Sequence, residues 1–546
     1  MVQLLARRPP PPDYYRENFL ELLQFVLSRY RSALRPADTE FARRFGAADV
    51  HAQRLLVRLF MRKGPLFRVD RLDYNEVADV GQAVAELIRS GLVEHRPTVA
   101  ADRVLALLTR SELMDRFPVA RRTCGRSATR ESLLQTLLST YSDHRLLAAL
   151  RESFEWIVLC DLQVLGRLQL LCFGSLAQDL SAFVLRDLGV QRIEAYALDA
   201  SGESDFSRIE VLERFLDVSA AATWLSALET MPELSHSIWL RLQHASSHRP
   251  TERRRSRLLN ELGRWHERRD ELSRAITCYA ASSRHPARER QVRIFEKYPE
   301  MGNSECLLVN MRDEPWCPEE AVFAARRQQK SSNHAPVVRT RALTISNLVM
   351  TPGAIESHAL ADLAADGSWG VHLENHLPLG LTALAYWDVL FMPVSAAFTH
   401  LFQHGPHDLF LDDFVVPRKM AIQLRAEQLG AATRPADLLL RTWDEKCGTA
   451  NALLVWQALP RPLLARLLTA LPKAHLLALT RAVIECPGRC RTGFPDLFVQ
   501  HADGGCEFIE VKGPSDQLQP QQRAWLARLD AMSIPASVLK YTPCLH

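Results

Sequence analysis

Cys490–Leu529 reads CRTGFPDLFVQHADGGCEFIEVKGPSDQLQPQQRAWLARL. Asp496 sits in a Pro-Asp pair that opens an apolar run, Leu497-Phe498-Val499. Asp503-Gly504-Gly505 is a turn signal, and Phe508 to Lys512 is a second short run in which apolar and polar residues alternate. The spacing predicts two strands joined by a tight turn. Period-2 alternation puts Phe508, Glu510 and Lys512 on one side of the second strand and Ile509 and Val511 on the other, core side. A carboxylate and an ammonium therefore project together, beside the Asp496 carboxylate on the strand before. Gln522 and Trp525, three apart at the start of a predicted helix, share a face.

Two carboxylates on adjacent strands can hold a hard divalent cation through oxygen ligands, leaving positions for water and a substrate phosphate. Such a cation polarises a phosphoryl oxygen, and Lys512 stands where it could orient a nucleophile or offset developing charge. An isolated E-x-K is equally an ordinary hairpin with a surface salt bridge, so the pair alone does not settle the matter. The whole string does more. With P-D at 495–496, E-V-K at 510–512, G-P at 513–514 and Q-x-x-W at 522–525, it resembles the PD-(D/E)xK nuclease signature in its virus-type replication-repair form. The resemblance implies that Gln522 arranges the catalytic end of the site. It also implies that Arg491, in the C-R-x-G-x-P-D lead-in, contacts phosphate.

Upstream, Gly370-Val371-His372-Leu373-Glu374 precedes an apolar helix expected from about Leu381, which closes with Tyr386-Trp387-Asp388-Val389-Leu390-Phe391-Met392. This resembles the Fanconi-associated nuclease family, in which a G-x-H-x-E segment is followed by an apolar helix ending in W-D-x-x-F-M. The resemblance implies that Glu374, Asp496 and Glu510 hold Mg2+ or Mn2+, with the Val511 carbonyl as a further ligand. Lys512 then supports the attacking water, and His372 orients the loop. It further implies a structure-specific nuclease acting on branched DNA near a 5′ flap or 5′ end, a 5′-flap endonuclease and 5′–3′ exonuclease in interstrand crosslink repair. A junction-resolving or restriction-like nuclease on the same fold, or a noncatalytic DNA-binding scaffold, remain the alternatives. Where the family can show a basic residue before the motif Gln, this chain has Gln521, so no phosphate contact is expected there. A compact bacterial member is expected, without the long N-terminal extension and ubiquitin-binding zinc finger of eukaryotic members.

The chain's 546 residues, 47% apolar and 24% charged, give ample core for three or four globular domains. A net charge of +4 excludes nucleic-acid binding through bulk charge, so local patches must serve. Only eight of the 67 basic residues are lysine, which leaves arginine as the phosphate-binding group. Eleven cysteines without a C-x-x-C pair read as a chain kept reduced. Cys486 and Cys490 lack the second ligand pair that a zinc site needs. The N-terminal apolar segment is too short for a signal peptide, and Gly380–Phe398, broken by Asp388 and Pro393, reads as a buried helix rather than a membrane span. A cytoplasmic protein is expected, at the nucleoid in a bacterium and in the nucleus of a eukaryote.

The fold class expected is mainly α and multidomain, ending in an α/β nuclease domain of restriction-endonuclease-like type. Residues 1–100 read as a helical DNA-binding domain in which Arg58, Arg62 and Lys63 follow an apolar stripe. Residues 101–145 resemble a SAP module, two helices around an arginine-rich connection. Arg121, Arg122, Arg126 and Arg130 are its candidate phosphate contacts, and Ser127 or Thr129 is the cap. Residues 146–335 read as a helical scaffold, with Val158–Leu176 as buried packing. Within it a basic cluster, Arg253, Arg254 and Arg255 with Arg274 nearby, accompanies a tetratricopeptide-like spacing of Leu262-Gly263, Ala275 and Tyr279. The polar stretch 326–341 reads as a linker into the nuclease domain, 336–546. The expected partner is branched or flapped DNA bound by a monomer, recognised through shape and backbone.

Overall fold

The computed structural model describes all residues except 1–12, 63, 126, 177–179, 181–182, 184–191, 199–205, 207, 329–339, 346–353, 412, 515 and 544–546. Lys63, Arg126 and most of the 326–341 linker therefore lie outside the described residues. The chain divides into two compact units: Met1–Arg192 with Phe206–Ile209 and His400–Phe402, and Ile193–Asp205 with Glu210–Thr399 and Gln403–His546.

In the first unit, helices Tyr14–Arg29, Pro36–Ala47 and Val50–Phe60 bury Phe19, Phe41 and Phe45 in one aromatic cluster. Asp49 caps the third of these helices by accepting from Ala52 N–H. Three short strands follow: β1 (Leu66–Arg68), β2 (Val93–His95) and β3 (Trp156–Leu159), antiparallel in the order β1-β3-β2. The segment read as purely helical scaffold thus contributes the central strand of this sheet. Its pairing with Leu66–Arg68 and Val93–His95 moves residues 146–192 from the scaffold into the N-terminal unit. Between β2 and β3 the arginine-rich stretch expected as a connection is partly helical: Arg121 to Cys124 form the last turn of helix Pro118–Cys124, and Thr129 rather than Ser127 caps the next helix, Arg130–Thr140.

In the second unit, helices Arg249–Arg268, Leu272–Ala280, Ala287–Lys297, Ser304–Asp313 and Pro318–Gln328 each pack on the next in sequence. A Cβ on Gly263 would stand 2.7 Å from the Tyr279 ring, so glycine lets the first two close together. The helical hairpin expected from the spacing is present; the SAP and tetratricopeptide labels remain likenesses of sequence.

The C-terminal part is a mixed five-stranded sheet. Its strands β4 (Thr340–Ile345), β5 (Trp369–His372), β6 (Leu497–Gln500), β7 (Cys506–Lys512) and β8 (Ala536–Pro543) lie in the order β4-β8-β7-β6-β5. β4, β8 and β7 are parallel; β6 is antiparallel to both β7 and β5. β6 and β7 form the expected hairpin, with Gly504 at φ +88 in its turn. Ile509 and Val511 pack with Leu497, Val499 and Leu539 against helix Ala354–Ala365. Phe508 joins Phe494, Phe498 and Trp525 on the opposite face. β7 is therefore buried on both faces, because helix Pro520–Ala531 covers the side that carries Glu510.

The helices between β5 and β6, beginning with His376–Ala385, build an extensive core. That helix starts five residues before the Leu381 expected and is almost wholly buried. Among the described residues no single helix is long and apolar enough to cross a membrane.

Candidate active site

Asp496 stands immediately before β6, and its main chain fixes the neighbouring strand end. The Asp496 carbonyl accepts from Leu373 N–H at 3.0 Å and Glu374 N–H at 3.2 Å. These two bonds hold the turn after β5, where Glu374 adopts φ +44. The Asp496 Oδ2 accepts from Val511 N–H at 2.8 Å, tying β6 to β7 through a side chain. His372 Nε2 lies 3.1 Å from Glu374 Oε1, and His372, Glu374 and Asp496 offer ligand atoms that all lie within 4.8 Å of one another.

Glu510 points from β7 into the space beneath helix Pro520–Ala531 and is 1% exposed. Its Oε1 accepts from Lys512 Nζ at 2.7 Å and from Gln522 Nε2 at 2.5 Å, whereas Oε2 is buried without a partner. The other end of the Gln522 amide accepts from Gln519 N–H at 2.9 Å and so caps the helix. Trp525, one turn on, meets Phe494 edge to face at 4.9 Å. The shared face of Gln522 and Trp525 is thus the one that covers β7.

The electrostatics follow from this crowding. Burial pushes the Asp496 carboxyl above the ordinary carboxylate range, opposed by the Val511 N–H and by Lys512. Burial, then the charge of Asp496, pushes Glu510 up to about 7 against the pull of Lys512. Negative charge outruns its protein partners here, and a buried carboxylate oxygen is left unbonded. Hard oxygen donors, with one imidazole, fit a divalent cation. Glu356, on helix Ala354–Ala365, was not anticipated. It raises the Asp496 carboxyl by its charge, and its own Oε2 is buried without a partner. No local motif marks it; only the packing of that helix across β6 and β7 brings it here.

The candidate phosphate-binding arginines separate by burial. Arg62, Arg121, Arg122, Arg253, Arg274 and Arg491 have exposed side chains or exposed ends. Arg274 pairs loosely with Glu271 at 3.2 Å, and Arg491 stacks on Phe410 at 4.3 Å. Arg254 is half-buried, 5.6 Å over Phe215. Arg255 is not a surface group: at 2% exposure it is bonded to Glu252 and to the Leu242 and Ala281 carbonyls. Arg58 is likewise occupied, by Glu76 at 2.7 Å and by the face of Tyr15 at 4.1 Å. Arg130 spends its guanidinium on the Leu108 and Ala106 carbonyls, joining two helices.

Residues 13–94 match the family described as "FAN1, HTH domain", and residues 431–542 match the VRR-NUC domain. The chain is 30% identical to the Fanconi-associated nuclease 1 homolog of Pseudomonas aeruginosa, over 97% of this chain and 96% of that one. It is 25% identical to the Arabidopsis thaliana homolog, over 100% of this chain and 68% of that protein. The structure superposes with a TM-score of 0.89 on the crystal structure of paFAN1 bound to 2nt 5′ flap DNA with a gap. That likeness covers 99% of this chain and 100% of the other, at 28% identity.

Proposed function

Because the chain belongs to the Fanconi-associated nuclease family, we propose that it hydrolyses phosphodiesters of branched DNA near a 5′ flap or 5′ end. It acts as a 5′-flap endonuclease and 5′–3′ exonuclease, in the repair of interstrand crosslinks. One observation carries the reading: Glu510 is buried between Lys512 and Gln522 with an unbonded oxygen, one strand from the Asp496 carboxylate.

The residues that would hold the cation are Glu374, Asp496 and Glu510, with the Val511 carbonyl. Glu356 adds a further negative charge beside them. When bound, Mg2+ or Mn2+ supplies Lewis acidity and a nucleophile usable near neutral pH. Lys512 favours the ionised form of Glu510 against the burial that opposes it, and stands where an attacking water can be oriented. Gln522 fixes the Glu510 carboxylate by holding one oxygen, which leaves the other directed into the site. His372 holds Glu374 and so keeps the turn after β5 in register with Asp496.

Affinity comes from elsewhere. Arg62, Arg121, Arg122, Arg253, Arg274 and Arg491 supply phosphate contacts, which position the substrate by backbone and shape without reading bases. The protein works as a monomer, on DNA in the bacterial cytosol or a eukaryotic nucleus.

The test is cleavage of end-labelled 5′-flap, 3′-flap and plain duplex DNA with Mn2+ and with Mg2+, comparing the native chain with Asp496→Ala. Cutting of the 5′ flap that disappears in the variant, with flap binding retained, is the expected result. No cutting of any substrate, or equal cutting by both proteins, overturns the reading.

A further inference from the structure

The cysteine pair that lacks a zinc partner set in the sequence is brought together by the fold. Cys486 ends helix Lys473–Glu485, Pro487-Gly488-Arg489 makes one tight turn, and Cys490, fully buried, follows. Their Sγ atoms lie 3.6 Å apart. Arg528, on the helix that carries Gln522, donates through Nη1 to Cys490 Sγ at 2.9 Å and lies 3.7 Å from Cys486 Sγ. Gly488 lets the turn pack tightly: a Cβ there would stand 2.8 Å from the Phe410 carbonyl oxygen. A cavity of about 170 Å³, lined by Gly488, Arg489, Thr492 and Arg528, flanks the turn, and Cys486 is only partly buried.

We propose that Cys486 and Cys490 form a dithiol modification site, which closes to an intramolecular disulfide by exchange with a low-molecular-weight disulfide such as oxidised glutathione. The Cys486 thiolate attacks one sulfur of the small disulfide, and the S–S bond breaks to expel a thiolate. Cys490 then gives its proton to the expelled thiolate, attacks Cys486 Sγ and expels the second small thiolate. Two protein thiols are oxidised and one small disulfide is reduced to two thiols. The contact with Cys490 and the Arg528 guanidinium hold the Cys486 thiol down at about 6, against burial, while Cys490 is pushed up. Cys486 is therefore the attacking group and Cys490 the resolving one.

The bond acts on the site through two short connections. Cys490, which accepts from Arg528, begins the segment that runs through Arg491 to Asp496, and the guanidinium also loses the charge of the Cys486 thiolate 3.7 Å away when the neutral disulfide forms. Both changes loosen the seat of the helix from which Gln522 holds Glu510. This effect on cleavage rests on the nuclease reading; the cross-link does not.

The full chain is incubated with oxidised glutathione and digested with trypsin without reduction. The expected product is the Ala482–Arg489 peptide disulfide-linked to Cys490-Arg491. In Cys490→Ser the reaction stops at a stable glutathione adduct on Cys486, and Cys486→Ser gives no cross-link. Oxidation is expected to slow flap cleavage by the native chain roughly tenfold or more, the scale for a slightly displaced catalytic group. Dithiothreitol restores the rate, and Cys486→Ser is indifferent to the oxidant. Native chain in which, after oxidation and unfolding in denaturant, both thiols still react with maleimide overturns the proposal, as does a linked protein that cuts as fast as the dithiothreitol-treated one. Failure of the reduced native chain to cut at all would sink the nuclease reading and leave the cross-link result standing.

Discussion

Glu510 is a carboxylate at 1% exposure with one oxygen held twice and the other not at all. In the metal-free protein its folded-state value, about 7, lies above the ordinary 4.5, so the folded chain binds this proton more tightly than the unfolded chain. The resulting stability is fully present below about pH 4.5 and is lost as pH rises through about 7. Chelator-treated native protein should therefore melt at progressively lower temperature across that window, and Glu510→Gln should flatten the slope, leaving the smaller share of Asp496. An unchanged slope in the variant would refute this account. Because a cation must displace the same proton, its affinity should rise with pH over the same window, as calorimetry in two buffers of different ionisation heat would register. Gln522→Ala, which removes the amide that holds Glu510 together with the cap of its own helix, should cost about 10–100-fold in cleavage or cation affinity. At this scale the sequence was informative where spacing carries the chemistry: alternation placed Glu510 and Lys512 side by side, and Lys512 Nζ does meet Glu510. It was silent where only tertiary packing decides, as for Glu356. Nor could it separate Arg253 from Arg255, two apart in one basic run, of which a helical turn directs one outward and one into a buried pairing with Glu252.

Elements rather than residues explain the helix Pro520–Ala531. Its start is fixed by the Gln522 cap and its seat by Trp525, and Gly493 approaches it closely. Gly493 has φ +89, and a Cβ there would stand 2.7 Å from the Gln521 carbonyl carbon. Gly493→Ala therefore faces both a left-handed backbone and a main-chain contact, and should destabilise the chain by about 1–3 kcal/mol in a denaturant titration. Cleavage should fall more than flap binding, since the displaced element carries Gln522. The β6–β7 hairpin and this helix were legible because turn residues and period-2 alternation are local signals. The strand Trp156–Leu159 was not: a four-residue apolar run suits a buried helix turn as well as a buried strand, and only its partners Leu66–Arg68 and Val93–His95 decide.

For the whole molecule, a net charge of +4 means that DNA binding depends on where the arginines lie. Arg121 and Arg122, exposed on the last turn of helix Pro118–Cys124, are candidates on which to test this. Replacing both by alanine in an Asp496→Ala background should reduce the slope of log affinity against log salt by about 2, equally for flaps of different sequence. An unchanged slope would remove these two from the interface. The strand beyond residue 146 could not be foreseen from periodicity, because the sheet that holds it is assembled from distant segments. The same long-range construction governs when the enzyme can become active. Glu374 and Asp496 are joined by two main-chain bonds, yet the entire helical insertion lies between them, and Gln522 comes later still. On a ribosome the first acidic group emerges long before its companions, and the proposed cutting centre cannot assemble until the segment through Gln522 has been made. A nuclease built this way cannot attack the nucleic acid around it before that segment has emerged.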